Sequence, residues 1–83
     1  MNLDELKQKL TRSRIKEEFY SLVGGFPNEA FCIAETDDFW EIYYSERGSK
    51  SKRKTFGNES EACNYFYEWI TSDEVVMNNL SKQ

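Results

Sequence analysis

The 83-residue sequence contains no histidine, only two cysteines and a single proline, and these scarcities exclude several kinds of site. Histidine is the commonest general base and a leading zinc ligand in proteins. Cys32 and Cys63 are far apart in the sequence, so they do not form the closely spaced pair of a metal site. Glycine-rich phosphate-binding patterns are also absent. We therefore predict no catalytic, cofactor-binding or metal-binding residues, and we expect that the protein is not an enzyme.

Long apolar runs are missing as well. No stretch approaches the length that spans a membrane, and residues 1–9 lack the apolar segment of a signal peptide. Each cysteine lies in a short apolar run, which favours two buried thiols over a disulfide. These features predict a cytoplasmic protein with no membrane partner.

Aromatic residues are abundant and make up 16% of the chain, a content that does not fit a disordered protein. A chain of this length buries only roughly 60–65% of the surface that its unfolded form exposes, so its core needs large side chains. We expect one domain over residues 1–83, as a monomer or a weak dimer.

Helix signals occur near both ends. Residues 2–5 form a capping-box pattern ahead of a helix over 3–12, and a bent or second short helix to about Tyr20 follows. Residues 58–61 form a second capping signature ahead of an amphipathic helix over about 59–71. A last helix places Val75, Val76 and Leu80 on its inner side.

Three strands are predicted between these helices. They cover residues 30–34, 39–45 and 51–56, with short turns between them that indicate an antiparallel meander. The break at residues 24–28 is a turn that precedes the first strand. The prediction is an α+β fold in which a three-stranded antiparallel meander has helices packed on one face, in the order α(α)-βββ-α-α.

Alternation along the middle strand assigns its two faces. The predicted core face carries Trp40, Ile42 and Tyr44. The opposite face carries Phe39, Glu41 and Tyr43. That second face is a candidate for contact with a partner.

Charge is unevenly distributed in a chain whose net charge is −4. Residues 29–48 carry six acids and one base, whereas residues 49–56 carry four bases and no acid. The basic residues are Lys50, Lys52, Arg53 and Lys54. Such a chain steers toward cationic partners and still offers one local site for an anion.

The basic strand supports a nucleic-acid alternative. A three-stranded sheet can enter a DNA groove, and lysines along one strand can contact phosphates. The order of hairpin, basic strand and amphipathic helix over residues 39–70 is similar to three-stranded DNA-binding domains of plant transcription factors and phage integrases. The competing interpretation is an edge strand on which lysines prevent edge-to-edge pairing.

Three segments form a recognisable pattern. They are YSLVGG at residues 20–25, WEIYYSERG at 40–48, and ESEACNY at 59–65, with Phe56 between the last two. The chain thereby resembles a group of small bacterial proteins with the pattern Y-S-L-x-G-G … Y-S-E-R-G … E-x-E-A-C, which are similar to immunity proteins of polymorphic toxin systems. Val23 departs from the acidic residue expected there.

The resemblance implies a non-enzymatic protein that binds and neutralises a cognate bacterial toxin or effector. Many toxin domains are cationic nucleases, and an acidic face speeds association with such a target. The predicted partner-binding surface is acidic and aromatic. It consists of Asp37, Asp38, Phe39, Glu41 and Tyr43.

Glu46 and Arg47 lie in the most specific part of the pattern, and two roles are open. Arg47 could brace the sheet through a bidentate contact with an acid such as Glu29 or Glu59. Alternatively, the pair could contact the toxin. A recurring motif in proteins with varied partners favours the structural role.

Overall fold

The computed structural model describes residues 1–82. In chain order the elements are α1 (Leu3–Arg12), a 3₁₀ turn (Glu17–Phe19), β1 (Tyr20–Ser21), β2 (Ala30–Glu35), β3 (Trp40–Glu46), β4 (Ser49–Phe56), α2 (Glu59–Thr71) and α3 (Glu74–Met77). The α+β class, the antiparallel meander β2-β3-β4 and the two long helices are confirmed. Within the described residues, no helix is long and apolar enough to cross a membrane.

The sheet has four strands, so the prediction of three strands is incomplete. The extra strand, β1, pairs in parallel with β2, where Tyr20 lies beside Phe31 and Ser21 beside Cys32. The predicted second helix is reduced to the 3₁₀ turn, because α1 ends at Arg12, Ser13 is its C-cap and Arg14 takes a left-handed φ of 63°. A two-residue strand is too short to produce a periodic pattern, which explains why it was not predicted.

Local capping sets the helix starts. The Asn2 side chain accepts a hydrogen bond from the Glu5 backbone N–H, and the Glu5 carboxylate accepts one from the Asn2 N–H, both as predicted. The Asn58 side chain accepts from the Glu61 N–H at the start of α2. Asp73 caps α3 by accepting from the Val76 N–H. Each cap satisfies a backbone donor that has no partner inside the helix.

The core lies between the inner face of the sheet and the helices. Leu6 and Leu10 of α1 and Phe66 and Ile70 of α2 are fully buried against Ile42 of β3. The predicted core face of β3 is therefore confirmed, since Trp40 and Tyr44 also pack against this cluster. The prediction for α3 is partly wrong, because its short helix buries Val76 but leaves Val75 exposed.

Polar contacts fasten α1 to α2. The Glu59 carboxylate accepts a hydrogen bond of 2.9 Å from the Leu3 N–H. The hydroxyls of Ser13 and Tyr67 lie 2.6 Å apart, at the other end of the helix pair. Farther on, the Ser81 N–H donates to the Arg14 carbonyl over 2.7 Å and holds the end of the described chain against the α1 terminus. These contacts join α1 to α2 at both ends of the helix pair, on the inner face of the sheet, whereas the opposite, outer face carries Glu41 and Tyr43.

Candidate interaction surface on the outer face of the sheet

The five residues of the predicted acidic and aromatic surface occupy two different environments. Asp37 and Asp38 are exposed in the turn before β3, and Phe39 is half-buried beside them. Glu41 is only 5% exposed and Tyr43 only 1% exposed, although both point to the outer face. The turn therefore offers free carboxylates, whereas the strand residues are covered by other parts of the chain.

Two bases of β4 cover Glu41. Lys50 Nζ lies 2.7 Å from Oε1 of Glu41, and Arg53 Nε lies 2.6 Å from Oε2. Burial by itself raises the pKa of Glu41, but the hydrogen bonds and charges of the two bases outweigh it, so the pKa lies below its usual value. Glu41 is therefore an ionised carboxylate with both oxygens engaged, positioned as a structural group of the sheet.

A glycine-rich loop covers Tyr43. The Tyr43 hydroxyl donates a hydrogen bond of 2.7 Å to the Gly25 carbonyl. Burial raises the pKa of Tyr43 to about 12, with further contributions from Cys32 and the Glu41 charge. The phenol is thus a neutral donor at physiological pH, and its role is to attach the loop to the sheet.

The loop needs glycine at the contact point. Gly24 has a left-handed φ of 72°, and an added β-carbon there would lie 2.8 Å from the Ala34 β-carbon. The Gly24 carbonyl accepts a hydrogen bond of 2.8 Å from the Ser21 hydroxyl, which closes the start of the loop. The loop backbone therefore lies against the outer face of the sheet at Gly24 and Gly25.

Two apolar side chains of this loop are exposed. Val23 is 90% exposed and Phe26 is 60% exposed. Among the large apolar side chains of residues 1–82, only Val75, at 63%, is exposed to a similar extent. Lys50 Nζ lies 5.7 Å from the Phe26 ring centre and 4.7 Å from the Tyr43 ring centre. The alternation rule could not predict this arrangement, because Val23 and Phe26 belong to no strand or helix.

The four predicted nucleic-acid contacts are not equivalent. Lys50 and Arg53 are bound to Glu41, and the Arg53 guanidinium also lies 5.5 Å from the Phe39 ring centre. Lys52 and Lys54 are exposed, but Lys54 Nζ lies 5.1 Å from the Tyr65 ring centre on the helix side. The irregularity in the pairing of β3 with β4 near Lys52 divides these side chains between two faces. The basic strand is therefore not a continuous stripe of free cations.

Glu46 and Arg47 lie at the β3–β4 hairpin. Glu46 pairs with Ser49, so the loop contains only Arg47 and Gly48, whose φ values are 50° and 74°. Two positive φ values define the primed turn that fits the twist of a hairpin. In residues 1–82 every ion pair involves Glu41, so Arg47 is not ion-paired with Glu29 or Glu59. The motif thus supplies a turn, and its two charged side chains are exposed.

The two cysteines and the acidic residues are the remaining candidate groups. Cys32 and Cys63 are free, buried thiols, as predicted. Within residues 1–82 no three acidic or thiol side chains are close enough to hold a metal ion. Comparisons of the chain with models of protein families, with curated proteins and with solved structures find no match.

Proposed function

We propose that this chain is a non-enzymatic protein-binding module that neutralises a cognate bacterial toxin or effector, as immunity proteins do. The observation that carries the proposal is the exposure of Val23 and Phe26 on a loop attached to the outer face of the sheet. Exposed apolar side chains that are rimmed by polar groups are typical of protein–protein contact sites. Aromatic anchors often contribute much of the binding energy in such contacts.

The loop is preorganised for binding. The Tyr43–Gly25 and Ser21–Gly24 hydrogen bonds hold its backbone at two points, so a partner does not have to order it. Prior ordering lowers the entropic cost of association. The YSLVGG segment of the resemblance leads from β1 into this loop. Gly24 of the segment serves the fold, whereas Val23 and the following Phe26 remain exposed to a partner.

The charge of the chain favours a basic partner. The net charge of −4 attracts cationic domains over a distance, and Asp37 and Asp38 add exposed carboxylates in the turn before β3. A nucleic-acid partner is less well supported, because two of the four bases of the basic strand are ion-paired with Glu41. Phosphate binding would then depend on Lys52 and Lys54, and two phosphate contacts are few for a nucleic-acid-binding surface.

The test begins with capture of a partner from nuclease-treated lysate of the native host. Wild-type chain and the variant Val23→Asp/Phe26→Asp serve as baits in parallel. Any stoichiometric partner is then expressed in growing cells with each form of the chain. We expect a basic protein that arrests growth, rescue of growth by the wild type, and loss of rescue with the double variant.

A matched control changes an exposed position in the helical layer, Asn64→Asp, which should rescue growth fully. Charge reversal at Asp37 and Asp38 should weaken capture and slow association, because it removes the acidic turn. The proposal fails if the captured protein is not toxic, or if the double variant rescues as well as the wild type. Steeply salt-dependent binding to DNA or RNA that Lys52→Ala/Lys54→Ala abolishes would instead establish the nucleic-acid alternative.

A further inference from the structure

A second concave surface lies on the helix side of the sheet, where β2 begins and β3 ends. It consists of two adjoining compartments of about 210 and 240 Å³, which share Phe31, Tyr44 and Asp73 as lining residues. Trp69 of α2 lines the first compartment, and Phe19 lines the second. We call this surface the aromatic cleft.

The aromatic rings of the cleft are fixed in a set geometry. The Phe31 ring meets Tyr44 edge-on at a centroid distance of 5.2 Å and an interplanar angle of 76°. It meets Trp69 in the same way, at 4.6 Å and 76°. Phe31 is buried, whereas Tyr44 and Trp69 are half-exposed, so the two outer rings retain accessible surface around a rigid centre.

Carboxylates surround these rings. Glu29 and Glu46 are exposed at the rim, and Asp73 is half-exposed between the compartments. The pKa of Tyr44 is raised by burial and then by the charges of these three carboxylates, so their negative potential converges on its hydroxyl.

The acids of the cleft have no internal counter-charge in contact with them. Lys52 is the one base that lines the two compartments in the described chain, and it lies within 4.0 Å of none of the three carboxylates. Arg47 lies beside Glu29 and Glu46 at the outer edge and is likewise not ion-paired with them. The cleft therefore combines partly exposed aromatic side chains with carboxylates that have no ion-pair partner among the described residues.

We propose that the aromatic cleft binds an arginine side chain of the partner protein. A guanidinium is planar, stacks on Trp and Tyr faces and forms forked hydrogen bonds with carboxylates, which matches the groups that line this space. Val75, exposed at the end of the second compartment, provides an apolar contact for the aliphatic part of that side chain.

This inference rests on the proposed function, since it assigns a contact to the same basic protein partner. The cleft lies on the helix side of the sheet and the loop at Val23 and Phe26 on the outer side, so the partner would reach around the edge formed by β1 and the start of β2. The two contacts involve separate residues and can be tested separately.

The test uses the purified full chain and the peptide acetyl-Gly-Arg-Gly-amide, with the citrulline peptide as an uncharged control of the same shape. Binding is followed by the NMR signal of the Trp69 indole N–H, with the Trp40 indole as an internal reference, because Trp40 lies at the opposite end of β3. We expect a saturable shift at Trp69 with the arginine peptide and no saturable shift with the citrulline peptide.

Paired variants test which carboxylates bind the peptide. Glu29→Gln/Glu46→Gln should lower the affinity for the arginine peptide by about fivefold. Glu35→Gln/Glu68→Gln makes the same change of net charge at exposed sites elsewhere and should leave that affinity unchanged. The inference is overturned by equal shifts with both peptides, by equal weakening in both variants, or by the absence of a shift at Trp69. A third peptide, acetyl-Gly-Lys-Gly-amide, tests the choice of cation, and tighter binding of this lysine peptide would overturn the assignment to arginine.

The outcomes separate this inference from the proposed function. Binding of the arginine peptide, together with failure of the chain to neutralise any captured toxin, would leave the cleft in place and refute the immunity role. Growth rescue by the wild type without any binding of the peptide would support the immunity role and remove the cleft from it.

Discussion

Gly24 lies directly over Ala34, so closely that a β-carbon on Gly24 would come within 2.8 Å of the Ala34 β-carbon. This contact lets the loop of Val23 and Phe26 lie flat on the outer face of the sheet. The neighbouring Gly25 has a similar left-handed φ of 83° but has open space around its α-carbon. The two glycines therefore separate the effect of backbone strain from the effect of a steric clash.

Gly24→Ala should lower the free energy of unfolding by about 2–4 kcal/mol, because it combines left-handed strain with overpacking against Ala34. Gly25→Ala should cost only about 1–2 kcal/mol, because it introduces the strain alone. Urea unfolding of both variants followed by Trp fluorescence measures the difference. Equal losses would show that the loop does not rest on the sheet as described.

Glu41→Gln should destabilise the fold by about 1–3 kcal/mol at pH 7, because it leaves Lys50 and Arg53 without their shared carboxylate at a partly solvated site. The folded-state pKa of Glu41 lies below the usual 4.5, so its contribution is complete above that value and declines as pH falls through the lower folded-state pKa. Stability curves of wild type and variant should therefore converge in acid. Glu46→Gln, at an exposed site, is the matched control and should change stability by less than about 0.5 kcal/mol. A constant gap between wild type and Glu41→Gln at all pH values would contradict this account.

The inner layer of the fold could be predicted because its pattern is periodic. Ile42 in the alternating strand and Phe66 in the helical stripe each lie on the face that the spacing indicates. The outer face could be predicted only in part. Alternation along β3 places Glu41 and Tyr43 on that face, but it does not indicate which other parts of the chain cover them. Their burial depends on β4 and on the glycine-rich loop, which are brought together only by the tertiary fold.

The candidate sites divide in the same way, into groups that the local sequence predicts and groups that only the tertiary fold brings together. The exposed acids of the turn, Asp37 and Asp38, lie where local turn chemistry predicts them. The aromatic cleft had no signal in the sequence, because Glu29, Phe31 and Trp69 come from a loop, a strand and a helix. Two local features could have drawn attention to it: Glu29, an exposed acid that belongs to no helix or strand, and the YSERG segment, which contains Tyr44 and Glu46.

Arg47→Asn should raise the free energy of unfolding by about 0.5 kcal/mol. Arg47 has a φ of 50° in a two-residue hairpin loop, and asparagine tolerates that conformation better than arginine does. Arg47→Ala is the control, since it removes the same side chain without this preference and should not stabilise the fold. Thermal unfolding of the three proteins distinguishes the turn from a bracing contact, because a bracing arginine would make both substitutions destabilising.

Cys63 should resist alkylation as long as the fold is intact. Its side chain is fully buried, and burial together with the Glu59 charge raises the pKa of the thiol to about 11, so little thiolate forms at pH 8. Burial likewise raises the pKa of Cys32, which is also fully buried. Iodoacetamide at pH 8 should therefore label neither thiol in the native protein and both in about 8 M urea, which lies above the unfolding midpoint of most small domains. Mass spectrometry after a timed quench gives the extent of labelling, and addition of sub-denaturing urea should increase both rates in parallel with the unfolded fraction. Rapid labelling of native Cys63 alone would place that residue at an accessible position and contradict the packing of α2 against the sheet.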